Sequence, residues 1–284
     1  MFEKKKSVLL FLLPGLTMML VFYLVPFVGG VGYSVTDGTF QNAFVGLENY
    51  RRLWQNEMFR LGLRNTLTFS AVCAPLLWGC SLLLAVLLEA LDGEHTFFRS
   101  SVLLPYLTPS SAMLLVWLLL FDYGGPVNRV AQALGLVRVY WLESAALRVP
   151  IILMFMWKNL GFCIVVFSAA LQAVPREYDE YARLDGAGLL TRLLHITLPL
   201  IAPHAFLVFV LAWINAFKIF KEVYFIAGAY PDYSVYTLQH YMNNMFARLD
   251  YQNVTAAAYS FAAMVLLLFG LLFVMQRRAS DNLY

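Results

Sequence analysis

The amino-acid sequence predicts an all-α integral membrane protein with about six transmembrane helices. Of its 284 residues, 61% are hydrophobic and only 13% are charged, against roughly 45–50% and about 25% in soluble domains. The apolar excess is arranged in blocks at about 8–34, 66–91, 102–121, 147–173, 199–229 and 254–275. At about 1.5 Å per residue, each block can cross a hydrocarbon core about 30 Å thick. Polar, turn-rich segments separate the blocks, among them Asp92-Gly93, Tyr123-Gly124-Gly125-Pro126 and Tyr230-Pro231-Asp232. Residues 1–284 are therefore expected to form a single membrane domain.

The first block follows Lys4, Lys5 and Lys6 and runs from Val8 to about Gly32. That is too long for the apolar region of a signal peptide, and no small-x-small cleavage site follows it, so it reads as a retained span. The segment Leu47–Leu61 is a different object. Leu47, Tyr50, Trp54, Met58 and Leu61 recur at helical spacing among Arg51, Arg52, Gln55, Glu57 and Arg60, which predicts a short amphipathic helix at the membrane surface. Lysine and arginine are divided almost evenly between the two sides. The Lys triplet before the first span and Arg277-Arg278 after the last still place both termini in the cytoplasm. Small residues such as Gly29-Gly30 and Ala256-Ala257-Ala258 suit close helix packing.

Several function classes are excluded. The net charge of +3 is small and the basic residues are scattered, unlike a nucleic-acid footprint. Cys73, Cys80 and Cys163 lie inside apolar blocks without metal-ligand spacing and read as buried apolar side chains. Among the histidines, His195 is expected at the surface and His204 in a hydrogen-bonded packing role, and neither belongs to a zinc pattern. No phosphate-cradling G-x-x-x-x-G-K-[ST] occurs. Catalytic and metal-binding residues are therefore expected to be none, and so are cofactors on this chain. A membrane-embedded enzyme or receptor would need paired ionisable residues in the spans or a soluble sensing domain, and neither is evident.

One segment carries more information: Pro175–Pro203, PREYDEYARLDGAGLLTRLLHITLPLIAP. Pro175 ends the fourth span. Arg176–Leu184 is a polar, helix-capable run that Asp185-Gly186 stops, since glycine accepts the left-handed conformation at a helix end. A second short helix is expected over Leu189–Thr197, and Pro199 stands at the start of the fifth span. A rigid helix–turn–helix between two spans suits insertion into a partner's groove.

This segment resembles the signature of ABC importer permeases, in which an E-A-A run is followed by D-G-A and then I-T-L-P. Here the matching residues are Glu180-Tyr181-Ala182, Asp185-Gly186-Ala187 and Ile196-Thr197-Leu198-Pro199. The resemblance implies an EAA-type cytoplasmic coupling helix between spans 4 and 5. Glu180, Tyr181, Ala182, Asp185, Gly186 and Ala187 would then engage an ATP-hydrolysing subunit. Tyr181 replaces the usual small residue, and Gly188 stands where serine is common. The segments Val45-Gly46-Leu47-Glu48-Asn49-Tyr50, Phe98-Arg99-Ser100 and Leu104-Pro105-Tyr106 look like the sugar-permease branch, and the C-terminal part is more like the first permease of such pairs.

The resemblance implies a bacterial cytoplasmic (inner) membrane location and an ATP-driven importer that translocates a carbohydrate. The expected partners are a second permease, two copies of an ATP-binding subunit carrying ATP and Mg, an extracytoplasmic solute-binding protein and membrane lipid, with no nucleic acid. A permease for a phosphate ester, amino acid or peptide is the alternative. Polar side chains within spans usually face an interior path or each other. Phe155, Asn159, Phe162, Asn215 and Lys218 are therefore the substrate-path candidates, with Lys158 and Trp213 nearby and Lys221 beside Glu222 as a candidate ion pair. Amides beside aromatic faces suit a sugar, whose hydroxyls need partners and whose C–H faces stack on rings.

Overall fold

The computed structural model describes residues 2–90 and 96–281. The expected Asp92-Gly93 turn and His95 lie outside the described residues. Among the described residues, six helical stretches are long and apolar enough to cross a membrane: Phe11–Ser34, Glu57–Ala90, Ser110–Ala133, Ala145–Gln172, Ala202–Ala227 and Tyr251–Arg277. The chain divides into two compact units. One takes the residues up to Arg60 together with Tyr241–Leu268, and the other takes Leu61–His240 together with the residues from Phe269 onward.

In the first unit the opening span is built from α1 (Phe2–Met19) and α2 (Val25–Ser34). A π-helical turn, Leu20–Leu24, joins them just before Pro26. Proline lacks the N–H that an α-helical bond would need there, and a wider turn absorbs the irregularity. A loop then folds back on the end of this span. Asn49 donates to the carbonyls of Ser34 (3.0 Å) and Thr36 (2.8 Å), and the Tyr50 hydroxyl donates to Ser34 Oγ (2.9 Å). The stretch Val45–Tyr50 thus fastens the outgoing chain. The last span lies in α15 (Tyr251–Asp281). Its Ala256 and Ala257 are fully buried, and its Tyr259 ring meets Phe27 edge-on while the hydroxyl donates to the Phe27 carbonyl. Gly30 leaves the room for that ring, since a Cβ there would come within 2.8 Å of the Tyr259 oxygen.

The predicted amphipathic helix over Leu47–Leu61 is interrupted. It ends as α3 (Glu48–Gln55), and α4 (Glu57–Ala90) starts two residues later. Asn56 is the joint: its side chain accepts the Phe59 N–H at 3.0 Å, a capping bond that starts a new helix more readily than it continues the old one. The second span therefore begins earlier than its apolar block.

The second unit holds the larger core. Its third span is also broken, into α5 (Thr96–Leu107) and α6 (Ser110–Phe121), where a continuous helix over 102–121 was expected. Pro109 supplies no N–H and disfavours the helical conformation at Thr108, which explains the break. After α6 comes the short α7 (Pro126–Ala133). The fourth span is α8 (Arg148–Gln172), which buries Ile151, Phe155, Cys163, Ile164 and Phe167. Gly161 is where α5 comes closest: a Cβ at that position would stand 1.8 Å from the Val102 carbonyl oxygen. Trp78 of α4 donates its indole N–H to the Ala205 carbonyl at 2.8 Å. Cys73 and Cys163 are buried free thiols and Cys80 is partly buried, as the apolar setting predicts.

Beyond the fifth span, α14 (Leu238–Ala247) starts with a buried histidine, His240. Its Nδ1 accepts the Thr237 N–H at 3.2 Å and lies 2.8 Å from the Thr237 hydroxyl. Its ring stands edge-on to Phe220 at 4.7 Å. Burial pulls its pKa down from 6.5 to about 4. The folded state therefore favours the neutral ring, and an unfolded chain takes up more protons between these values.

Two outcomes follow from this packing. Gly161→Ala should lower the thermal midpoint of the purified protein by several degrees, because backbone rather than a flexible side chain blocks the added methyl; an unchanged midpoint would contradict the close approach. The midpoint should be level above pH 6.5 and fall as pH drops from 6.5 towards about 4. His240→Gln should flatten that fall, and an unaltered slope in the variant would remove His240 as its source.

Candidate transport cavity and coupling segment

The fifth span is discontinuous about two-thirds of the way along its length. It comprises α12 (Ala202–Phe217) and α13 (Phe220–Ala227), and Lys218 and Ile219 separate the two helices. Lys218 caps the first by donating its N–H to the Asn215 carbonyl. Breaks of this kind are tolerated in a bilayer only where the freed backbone groups are buried in protein or line a polar cavity.

A cavity of about 440 Å³ lies at this break. Span 4 contributes Phe155, Lys158 and Asn159, and span 5 contributes Asn215, Lys218, Lys221 and Glu222. Tyr106, Thr108 and Ser110 reach it from the interruption of the third span. Two helix breaks and a run of polar side chains thus converge on one space within the spans.

Four of the five path candidates line this cavity: Phe155, Asn159, Asn215 and Lys218. Phe162 does not. It is one turn further along α8, stacked on the Tyr106 ring at 4.8 Å, so it supports the cavity wall. Trp213 lies outside too, packed between Phe209 and Phe217. The expected ion pair between Lys221 and Glu222 gives way to another. Glu222 is buried and pairs with Lys158 across spans 4 and 5 at 2.8 Å, while the same ammonium donates to Ser110 Oγ of span 3 at 2.6 Å. Adjacent helical residues point about 100° apart, so Lys221 is poorly placed to reach its neighbour. Asn159 is almost fully buried and donates one amide bond to the Phe155 carbonyl, which leaves its oxygen able to accept.

The coupling segment has a defined geometry of its own. Helix α9 (Arg176–Leu184) covers the predicted range. Gly186 adopts a positive φ of 78°. The Ala187 N–H bonds back to the Ala182 carbonyl (2.9 Å) and the Gly186 N–H to the Arg183 carbonyl (3.0 Å). This is the paired-bond helix end that glycine permits, with Asp185 at the terminal position and Ala187 just past it. Ala182 is buried, so a small residue is needed there; Glu180 is exposed and Tyr181 is 68% exposed. Helix α10 (Leu189–Arg192) follows, then a π-helical turn Leu193–Thr197 and the single turn α11 (Leu198–Leu200), where one helix over Leu189–Thr197 was expected. Asp179 ties the two arms together, pairing with Arg183 on its own helix and with the largely buried Arg192 beyond the turn. Among the exposed apolar side chains here are Tyr178, Leu184, Leu189 and Leu190. His195 is exposed with Nδ1 3.1 Å from the Thr191 carbonyl. His204 is exposed as well, so the expected hydrogen-bonded packing role is not seen.

Sequence reasoning missed His240, Ser110 and Tyr106. For Ser110 the signal available was Pro109 within an apolar block, and Tyr106 stood in the segment Leu104-Pro105-Tyr106 without a role assigned to it.

Known proteins resemble this chain over nearly its whole length. It is 33% identical to the trehalose/maltose transport system permease protein MalF of Thermococcus litoralis, over 81% of this chain and 80% of that protein. It is 30% identical to the sn-glycerol-3-phosphate transport system permease protein UgpA of Yersinia pseudotuberculosis, over 92% and 90%. It is 29% identical to the diacetylchitobiose uptake system permease protein NgcF of Streptomyces coelicolor, over 97% and 84%. A solved bacterial ABC transporter chain involved in import of the acidic polysaccharide alginate shares its fold, with a TM-score of 0.85, 24% identity and coverage of 97% and 96%. The family described as binding-protein-dependent transport system inner membrane component matches residues 95–282. With a polar cavity inside its spans and a rigid helical turn between the fourth and fifth, this multi-pass chain belongs to that family of binding-protein-dependent permeases.

Proposed function

We propose that the chain is a permease subunit of an ATP-driven importer and carries a carbohydrate delivered by an extracytoplasmic binding protein. The observation that carries this reading is continuity. Helix α8 supplies Phe155, Lys158 and Asn159 to the cavity and ends at Gln172, just before α9. On the other side, the turn after α10 runs through α11 into α12, which supplies Asn215. Both arms of the coupling segment therefore lead into helices that line the cavity. From Asn159 to the end of α8 is about 20 Å at about 1.5 Å per residue. A push on α9 has a short, stiff path to the solute.

In this reading, two ATP-binding subunits hold ATP and Mg and receive α9 in a surface recess. Glu180 faces that recess, and Tyr181 requires a pocket larger than a small residue would need. Ala182, Asp185, Gly186 and Ala187 shape the turn. ATP-driven closure then shifts the spans between two packed arrangements, the discrete behaviour that such gating needs. A second permease completes the path. Both termini lie in the cytoplasm of a bacterial cell, on the same side of the membrane as α9.

The carbohydrate part rests on chemistry and kinship. Asn159 and Asn215 offer amides to hydroxyl groups, and Phe155 and Tyr106 offer ring faces to C–H surfaces. The relatives named for trehalose/maltose and diacetylchitobiose handle solutes of this class.

The test is uptake by proteoliposomes containing the complete importer, with and without ATP and the binding protein. Accumulation of a radiolabelled carbohydrate should require both. Uptake driven by an ion gradient without ATP, or of amino acids or peptides in place of any carbohydrate, would contradict the proposal.

A further inference from the structure

The charges around the cavity do not balance. Its lining holds three lysines, Lys158, Lys218 and Lys221, and one carboxylate, Glu222. The carboxylate is already used: Glu222 is buried and pairs with Lys158. Among the described residues, the ammonium groups of Lys218 and Lys221 have no ion-pair or hydrogen-bond partner. Both side chains are exposed and line the cavity, Lys218 in the helix break itself and Lys221 in the first turn of α13.

Two uncompensated ammonium groups within a membrane-spanning segment are expensive unless they face a polar path or a partner. A structural ion pair would have met that cost with a neighbouring carboxylate, as it does for Lys158. Here the second carboxylate is missing and the charges converge on the space the solute crosses. Low-dielectric walls around such a space strengthen attraction to an anion and repel cations. The amides of Asn159 and Asn215 on the same wall suit hydroxyl groups, so the cavity offers both kinds of contact together.

Resting on the carbohydrate reading above, we propose that the solute is an anionic carbohydrate, and that Lys218 and Lys221 select it by pairing with a carboxylate or phosphate on the sugar. Lys158 plays a different part, since with Glu222 and Ser110 it fixes the wall against which the two free lysines stand. The path would then discriminate against neutral sugars of the same size at the membrane stage, after delivery by the binding protein. A carboxylate of the second permease facing the two lysines is the competing source of countercharge.

The experiment uses the complete importer in proteoliposomes and three labelled probes: a uronic-acid oligosaccharide, a phosphorylated sugar and a neutral oligosaccharide. ATP-dependent uptake of one of the two anionic probes is expected, and which one is taken up separates a carboxylate from a phosphate solute. The double variant Lys218→Gln, Lys221→Gln should reduce it about tenfold or more, the scale of losing a charge-assisted partner. Lys218→Arg, Lys221→Arg should recover most of it. Uptake of the neutral probe, untouched by the double Gln variant, would overturn this inference and leave the carbohydrate reading standing. Anion uptake that the double Gln variant does not change would also overturn it, and would assign the countercharge to the second permease. Uptake of none of the three while amino acids or peptides enter would overturn the carbohydrate reading itself.

Discussion

The Lys158–Glu222 ion pair, with Ser110 as its third member, is the contact on which the middle of the bundle depends. A bilayer punishes every unsatisfied backbone or side-chain polar group, so an interrupted helix needs a polar setting at the right depth. This chain interrupts its third span at Pro109 and its fifth at Lys218. One lysine from the fourth span bridges the two interruptions, reaching Ser110 on one side and Glu222 on the other. Removing Lys158 would leave the buried Glu222 without its countercharge, and removing Glu222 would leave the partly buried Lys158 with Ser110 alone, a loss that exceeds what the pair itself contributes. The cavity is the space left around this junction, and its polarity is a consequence of how the spans are joined.

The same economy of parts governs the far end. The coupling segment is short, but three local devices hold it rigid. Gly186 closes α9 with paired backbone bonds, Asp179 links the arms through Arg183 and Arg192, and buried Ala182 seats the helix. What stays exposed is an apolar and acidic face with no use inside the chain itself. Helix α8 precedes this element and α12 follows it, each through short connections, and both reach the cavity, so the proposed movement of α9 would be passed on towards Asn159 and Asn215.

Much of this is legible in the sequence, for identifiable reasons. Span number follows from block length, which the bilayer thickness fixes. Helix α9 and its glycine stop follow from local chemistry, which also places Ala182, Asp185 and Gly186. Among the cavity-lining candidates, Asn159, Asn215 and Lys218 are legible because polar side chains in apolar blocks stand out, and Phe155 because it lies close to them in sequence. Partner choice is what sequence does not settle. Adjacency suggests a pair between Lys221 and Glu222, yet a helix turns adjacent residues apart and brings Lys158 in from another span. An aromatic ring near an amide gives Phe162 the right composition for the path, and only packing shows that it faces Tyr106. His240 gives no signal at all, since a lone histidine near the start of a helix takes its environment from tertiary contacts.

The central claim is that α9 and its turn are the site where an ATP-hydrolysing partner acts. A Cβ at Gly186 would meet nothing within 4 Å in this chain, so side-chain volume added there is felt by a docked partner and not by the fold. The positive φ adds a strain of only about 1–2 kcal/mol, and asparagine tolerates that conformation. The most direct measurement is therefore a pull-down from native membranes with wild type, Gly186→Asn and Gly186→Trp. Wild type and the Asn variant should retain both a second permease and an ATPase, and the Trp variant should keep the permease but lose the ATPase. A wild-type chain that retains no ATPase, or a Trp variant that retains it in full, would contradict the claim.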